Sequence, residues 1–137
     1  MRYMLLIYSR EQPGGVPPEE RPGLYQRHAA VMEDARRKGA FIAAEPLAPT
    51  SSATTVRLSA AGEALVTDGP FAETKEQLAG YYMLECANLD EAIEWAARIP
   101  TGCKGAEGCI EIRPLPGLPA RPPEVQHAAG TQNGGNG

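Results

Sequence analysis

Tyr3-Met4-Leu5-Leu6-Ile7-Tyr8, "YMLLIY", is apolar or aromatic at every position. A strand sends successive side chains to opposite faces, so a half-exposed strand reads apolar, polar, apolar. A stretch with no polar alternate is a strand covered on both sides, and it belongs in the middle of a sheet. The rest of the chain must therefore supply neighbours on both edges of this strand and cover for both of its faces.

The flanking sequence supplies the neighbours. Ser9 to Gly23, "SREQPGGVPPEERPG", is an exposed Pro- and Gly-rich loop. From Leu24 to Lys38 the pattern turns helical: Leu24, His28, Val31, Met32 and Ala35 share one face. Arg36, Arg37 and Lys38 suit the negative C-terminal end of that helix, and Gly39 suits the position just past it. "AFIAAEPL" follows as a strand stopped by Pro46 and Pro49. "TTVRL" and "EALVT" flank "SAAG" as a hairpin, and "GYYMLECA" is a strand by its aromatic and apolar content. Asn88 opens a second helix, with Glu91 completing a capping-box pattern. Leu89, Ala92, Ile93, Ala96 and Ile99 are its expected buried stripe, Trp95 is a packing residue, and Pro100 is the stop. "CIEIRPL" is the last strand. Residues 1–115 read as one domain, and 116–137 as a Pro- and Gly-rich disordered tail.

This order predicts an α+β fold: a ferredoxin-like βαββαβ unit with an extra hairpin and an antiparallel sheet. Two helices cover only one face of such a sheet. The simplest cover for the other is a second copy, so the pattern predicts a homodimer with sheets packed face to face.

Composition narrows the function. The chain has 137 residues, 42% hydrophobic and 22% charged, enough for one core. A net charge of −4 argues against nucleic acid, which needs a basic face, and leaves protein partners open. No apolar run approaches the roughly 18 residues of a membrane span, and the N-terminal stretch is too short for a signal-peptide core. A cytoplasmic protein is the expectation. Three cysteines, Cys86, Cys103 and Cys109, form no C-x-x-C pair; the spacing of Cys103 and Cys109 would allow a bridge, but in a reducing compartment free thiols are the expectation. With only His28 and His127 as imidazoles, the sequence offers no metal site and no cofactor motif.

The candidate chemistry lies in His28 and in "TDGPFAETKEQLAGYY", residues 67–82. His28 sits on the apolar stripe of the first helix. It is either a neutral core histidine or a proton-transfer residue held between helix and sheet. Asp68 stands at a Gly-Pro corner. It either caps its own backbone as an Asx turn or accepts a hydrogen bond from His28 and raises its basicity. Glu73, Lys75 and Glu76 are either a solvated connection or the rim of a site, with Lys75 holding an anionic ligand. Tyr81 and Tyr82 alternate, so only one of them faces a given pocket. Tyr81 is taken with Lys75 and Glu73 as the substrate-binding set.

Three stretches together, "MRYMLLIY", "VTDGPFAETKEQLAGYYMLE" and "LDEAIEWAARIP" with "IEIRPL", resemble the YCII-related family, specifically its DGPF-domain branch, over about residues 1–115. The resemblance implies a dimeric α+β barrel, a small bacterial protein, and a His and an Asp in a pocket. His28 precedes Gly39 by the eleven residues that separate the family's helix histidine from its helix-ending Gly, so that role carries to His28. Asp68 is the aspartate of the DGPF motif, and its pairing with His28 is an added inference. The expected function is proton transfer on a small organic substrate by His28 and Asp68. The alternative is a non-catalytic ligand-binding or regulatory module linked to extracytoplasmic-function sigma factors. "TGCKGAEGC" and the long tail depart from the family pattern.

Overall fold

The strand that opens the chain is central. β1 (Arg2–Ser9) lies between β5 (Gln77–Glu85) and β6 (Gly108–Leu115), and β2 (Phe41–Pro46) closes the other edge in the order β2-β5-β1-β6. Every neighbouring pair in this sheet is antiparallel. Leaving aside the hairpin β3 (Thr54–Leu58) and β4 (Ala64–Asp68), these strands follow the 4-1-3-2 order of the ferredoxin-like plan. The computed structural model describes residues 1–101 and 108–118. Cys103, most of the loop "TGCKGAEGC" and the tail beyond residue 118 lie outside the described residues.

Alternation along β1 sets the two faces. Tyr3, Leu5 and Ile7 are buried with Tyr82 and Leu84 of β5, under helices α1 (Arg21–Arg37) and α2 (Leu89–Ala96). Leu5 and Leu84 are fully buried, each stabilising the fold by about 1.5–3 kcal/mol relative to exposure. Met4, Leu6, Tyr81 and Met83, on the opposite face, are only half-buried.

The first helix begins three residues earlier than its apolar stripe suggests, with Pro22 in its first turn, where a missing N–H is harmless. Its expected face is the inner one: Val31 and Ala35 are buried, and Met32 packs against the core. The second helix is rotated from its expected stripe. Ala92, Trp95 and Ile99 are buried with Ala96 against them, whereas Leu89 and Ile93 are each 49% exposed. The wide indole of Trp95 takes the inner position that aliphatic spacing alone assigned to Ile93. Asn88 caps this helix, its Oδ1 accepting from the Glu91 N–H at 3.0 Å, while Glu91 reaches back to the Ala87 N–H.

Charges fasten the two helices. The Asp34 carboxylate accepts from Arg37 at 2.8 Å and from Arg98 at 2.5 Å, with the Lys38 ammonium at 3.4 Å. Arg98 and Lys38 also lie over the Trp95 ring, 4.9 and 5.4 Å from its centroid. The Arg98 hydrogen bond leads the effects that hold the Asp34 carboxyl at about 2 against an ordinary 3.8. A carboxyl with a depressed folded value stabilises the protein above its ordinary value, and the contribution is lost as pH falls from 3.8 toward 2. Urea midpoints measured across that window should drop in the wild type and drop less steeply in Asp34→Asn.

Gly80 sets the spacing of β2 against β5. A Cβ there would lie 2.8 Å from the Glu45 carbonyl oxygen and 3.2 Å from the Pro46 Cα, both backbone atoms of the neighbouring strand. Gly80→Ala should therefore destabilise the domain by about 1–3 kcal/mol, read from the urea midpoint. An unchanged midpoint would show that the β2 edge yields freely.

Candidate functional site

His28 is placed by the first helix at the margin of the inner face, half-buried, with its ring against β5. Its Nδ1 lies 2.8 Å from the hydroxyl of Tyr82, and the two rings stack with centroids 5.9 Å apart and planes 28° apart. Tyr82 is 2% exposed, so the pair reaches from the core to the surface. The same hydroxyl lies 3.5 Å from the His28 carbonyl oxygen, at the outer limit of a hydrogen bond. Among the described residues, His28 Nε2 has no hydrogen-bond partner.

The electrostatics keep both groups neutral near pH 7. Burial, with the Arg27 guanidinium adding to it, pushes the His28 imidazole below its ordinary 6.5. Burial pushes the Tyr82 phenol up to about 12. The neutral pair has two arrangements. In one, the phenol donates to Nδ1 and Nε2 carries the ring proton. In the other, Nδ1 donates to the phenol oxygen, the phenol turns toward the His28 carbonyl, and Nε2 is left with a lone pair. The second arrangement is a general base backed by a hydrogen bond that steadies the imidazolium it would become.

Tyr82, rather than Tyr81, stands on the side of His28. Tyr81 is opposite Leu6 on the other face of the sheet. Sequence alternation separates the two tyrosines but does not say which is inside. The pairing of Leu5 with Tyr82 decides it, because Leu5 has no exposure at all.

Asp68 ends β4 and is exposed. Among the described residues, no hydrogen bond joins it to His28. Gly69 follows with φ +97°, a backbone state that glycine adopts without strain, and its N–H donates to the Ala53 carbonyl at 2.7 Å. The corner thus closes the base of the β3–β4 hairpin. Glu73 and Lys75 are exposed in the connection from β4 to β5. Half-buried Glu76 accepts from the Cys109 thiol at 3.7 Å. Partial desolvation and the nearby Glu76 charge push that thiol up, away from nucleophile character. Gln77 ties this connection down, donating to the Thr74 carbonyl at 2.6 Å and accepting from the Glu11 N–H at 2.8 Å.

An open cleft of about 510 Å³ lies elsewhere, lined by Lys38, Asn88, Glu91, Glu94, Trp95 and Arg98, and does not include His28. No cluster of metal-ligating side chains occurs among the described residues. No helix among them is long and apolar enough to cross a membrane.

Comparison with known proteins adds a family to this geometry. The model of the YCII-related domain matches residues 1–116. An uncharacterized protein of Rhizobium meliloti (strain 1021) is 40% identical over 116 residues, covering 84% of this chain and 92% of the relative. With a matching family model over most of its length and a relative of this similarity, the chain belongs to the YCII-related family.

Proposed function

We propose that this protein is a proton-transfer enzyme acting on a small organic acid or carbonyl compound, with His28 as the base. The observation that carries this reading is the 2.8 Å contact between His28 Nδ1 and the Tyr82 hydroxyl, made at the edge of the core where the ring keeps access to solvent. A neutral imidazole with a lowered pKa is already in the base form near pH 7. Tyr82 is the positioning residue: it fixes the ring plane and selects which nitrogen takes the proton. Asp68, Glu73 and Lys75 remain the candidates for orienting the base and holding substrate, whereas Tyr81 lies on the face of the sheet away from His28. Lys75 is the cation suited to an anionic group. The reading includes a homodimer. Half-exposed Met4, Leu6, Tyr81 and Met83 give the open sheet face an apolar centre, while Glu45, Glu111 and Arg113 lie on the edge strands, an arrangement suited to a second copy.

One observation favours a second reading. Asp68 and His28 are not hydrogen-bonded within the chain, so the His–Asp pair expected of an enzyme is not assembled there. A non-catalytic module that binds a ligand, or a regulatory one linked to an extracytoplasmic-function sigma factor, needs no such pair. The acidic net charge of −4 suits a protein partner.

The two readings separate in a thermal-shift screen of small organic acids and carbonyl compounds on the wild type and His28→Ala. Hits are then followed by proton NMR in heavy water. The enzyme reading expects solvent deuterium to enter the ligand, slowed by about 10²–10⁴-fold in His28→Ala. Ligand stabilisation without exchange, or exchange that survives the substitution, would exclude His28 as the base.

The titration of His28 is a separate check. Its imidazole should titrate below 6.5 by NMR, and Arg27→Gln should raise the value. A histidine with a depressed folded value destabilises the protein as pH falls below its ordinary 6.5, because the unfolded chain takes up the proton first. Between pH 7.5 and 5.5, at roughly a unit either side of that ordinary value, the urea midpoint of the wild type should fall and that of His28→Gln should fall less.

A further inference from the structure

Arg27 stands apart from the other cations of α1. Arg21 donates to the Val16 carbonyl, Arg36 lies over the Phe41 ring, and Arg37 and Lys38 pair with Asp34. Arg27 is exposed and, among the described residues, has neither a hydrogen-bond nor an ion-pair partner. Long helical side chains lean toward the N-terminal turn. This one does so: its Nη1 lies 3.7 Å from where a Cβ on Gly23 would be. Gly23 is helical and its φ is not positive, so the backbone does not call for glycine at a place where glycine weakens a helix. Its missing side chain leaves open space beside the guanidinium, which a side chain longer than a methyl would cover. His28 follows directly. Its Nδ1 is taken by Tyr82, and its Nε2 has no partner among the described residues. Among those residues, Arg27 on α1 and Tyr82 on β5 are the charged or titratable groups that bear on the imidazole. An unpaired ring nitrogen and an unpaired guanidinium therefore stand side by side on an accessible surface.

We infer that Arg27, its flank left open by Gly23, is the anion seat of this site, and that the site takes organic acids carrying a carbonyl group in preference to neutral carbonyl compounds. The inference rests on the reading of His28 as the base. A guanidinium fork matches a carboxylate with two parallel hydrogen bonds, where a lysine offers a point charge. The acid's carboxylate pairs with Arg27, and a proton on the carbon next to its carbonyl passes to His28 Nε2. The C–H electron pair forms the double bond of an enolate, the carbonyl π pair moves onto oxygen, and return of the proton reverses both. Pairing also cancels the guanidinium charge beside the ring, so the bound acid makes His28 a stronger base.

The test titrates the full chain with pyruvate and with its uncharged analogue pyruvamide, read from the His28 ring signals by NMR. Far-UV circular dichroism confirms that each variant folds. Wild type should bind pyruvate about tenfold more tightly than pyruvamide, and pyruvate should raise the pH at which His28 titrates. Arg27→Gln should remove both the preference and the upward shift and leave pyruvamide binding as it was. Arg27→Lys should restore only part of the preference. Gly23→Leu should weaken pyruvate binding without loss of helix. Equal binding of the two probes, pyruvate binding unchanged in Arg27→Gln, or no binding of either overturns the seat. Loss of pyruvate binding in Lys75→Gln but not in Arg27→Gln overturns it too, and places the anion at Lys75. Deuterium entry into the pyruvate methyl group in heavy water separates the two proposals. Preferred binding of pyruvate through Arg27 with no exchange keeps the seat and removes the base. Equal exchange into pyruvate and pyruvamide, lost in His28→Ala, keeps the base and removes the seat.

Discussion

Two helices lie on one face of a four-stranded sheet, and everything else in this molecule accommodates that constraint. The covered face holds Tyr3, Leu5, Ile7, Tyr82 and Leu84, and it supplies the whole strand contribution to the core. The open face holds Met4, Leu6, Tyr81 and Met83, which are only half-buried and too few for a second core. The hairpin lies between β2 and β5 in chain order and carries further exposed apolar side chains, Val56, Leu58, Leu65 and Val66. The family assignment and the ferredoxin-like strand order are consistent with this one-sided architecture.

His28 occupies the boundary that the one-sided cover creates. A histidine deeper under α1 would be a sealed core residue; one further round the helix would be a solvated surface residue with an ordinary pKa. At the margin the ring gains desolvation from one side and keeps access from the other. The phenol of Tyr82, nearly inaccessible to water, is held protonated and gives the imidazole a fixed partner. Held neutral, the pair avoids the cost of burying an unpaired charge.

The sequence made the secondary structure legible because its signals were local. The unbroken apolar run of β1 predicted a central strand, and the hairpin was marked by "SAAG" between two β-rich segments. What was not legible depended on contacts between distant segments. Helical spacing could not say that Trp95 would displace Ile93 from the inner stripe, because the choice depends on the space left by α1 and the cations on Arg98 and Lys38. Tyr81 and Tyr82 are chemically alike, and only the register with β1 distinguishes them. His28 was found from its position on an apolar stripe, but its partner Tyr82 lies 54 residues away and no motif links the two. The Asp-Gly-Pro corner is legible as a turn, with Gly69 in a positive-φ state, but an Asp68 carboxylate directed to the interior is not what the fold shows: Asp68 is exposed, because its direction follows the placement of the hairpin and not the local motif.

The central strand also has a bearing on how the chain is born. Arg2 pairs with Glu85 on one side and with Leu115 on the other. Within this stretch of chain, β1 is therefore made well before either of the strands that flank it. At about 5–20 residues per second, "YMLLIY" spends several seconds with neither edge satisfied and both faces oily. Exposed apolar surface with unpaired strand edges favours association between unfinished chains, so the interval before the final strand arrives is the exposed one in the life of this fold.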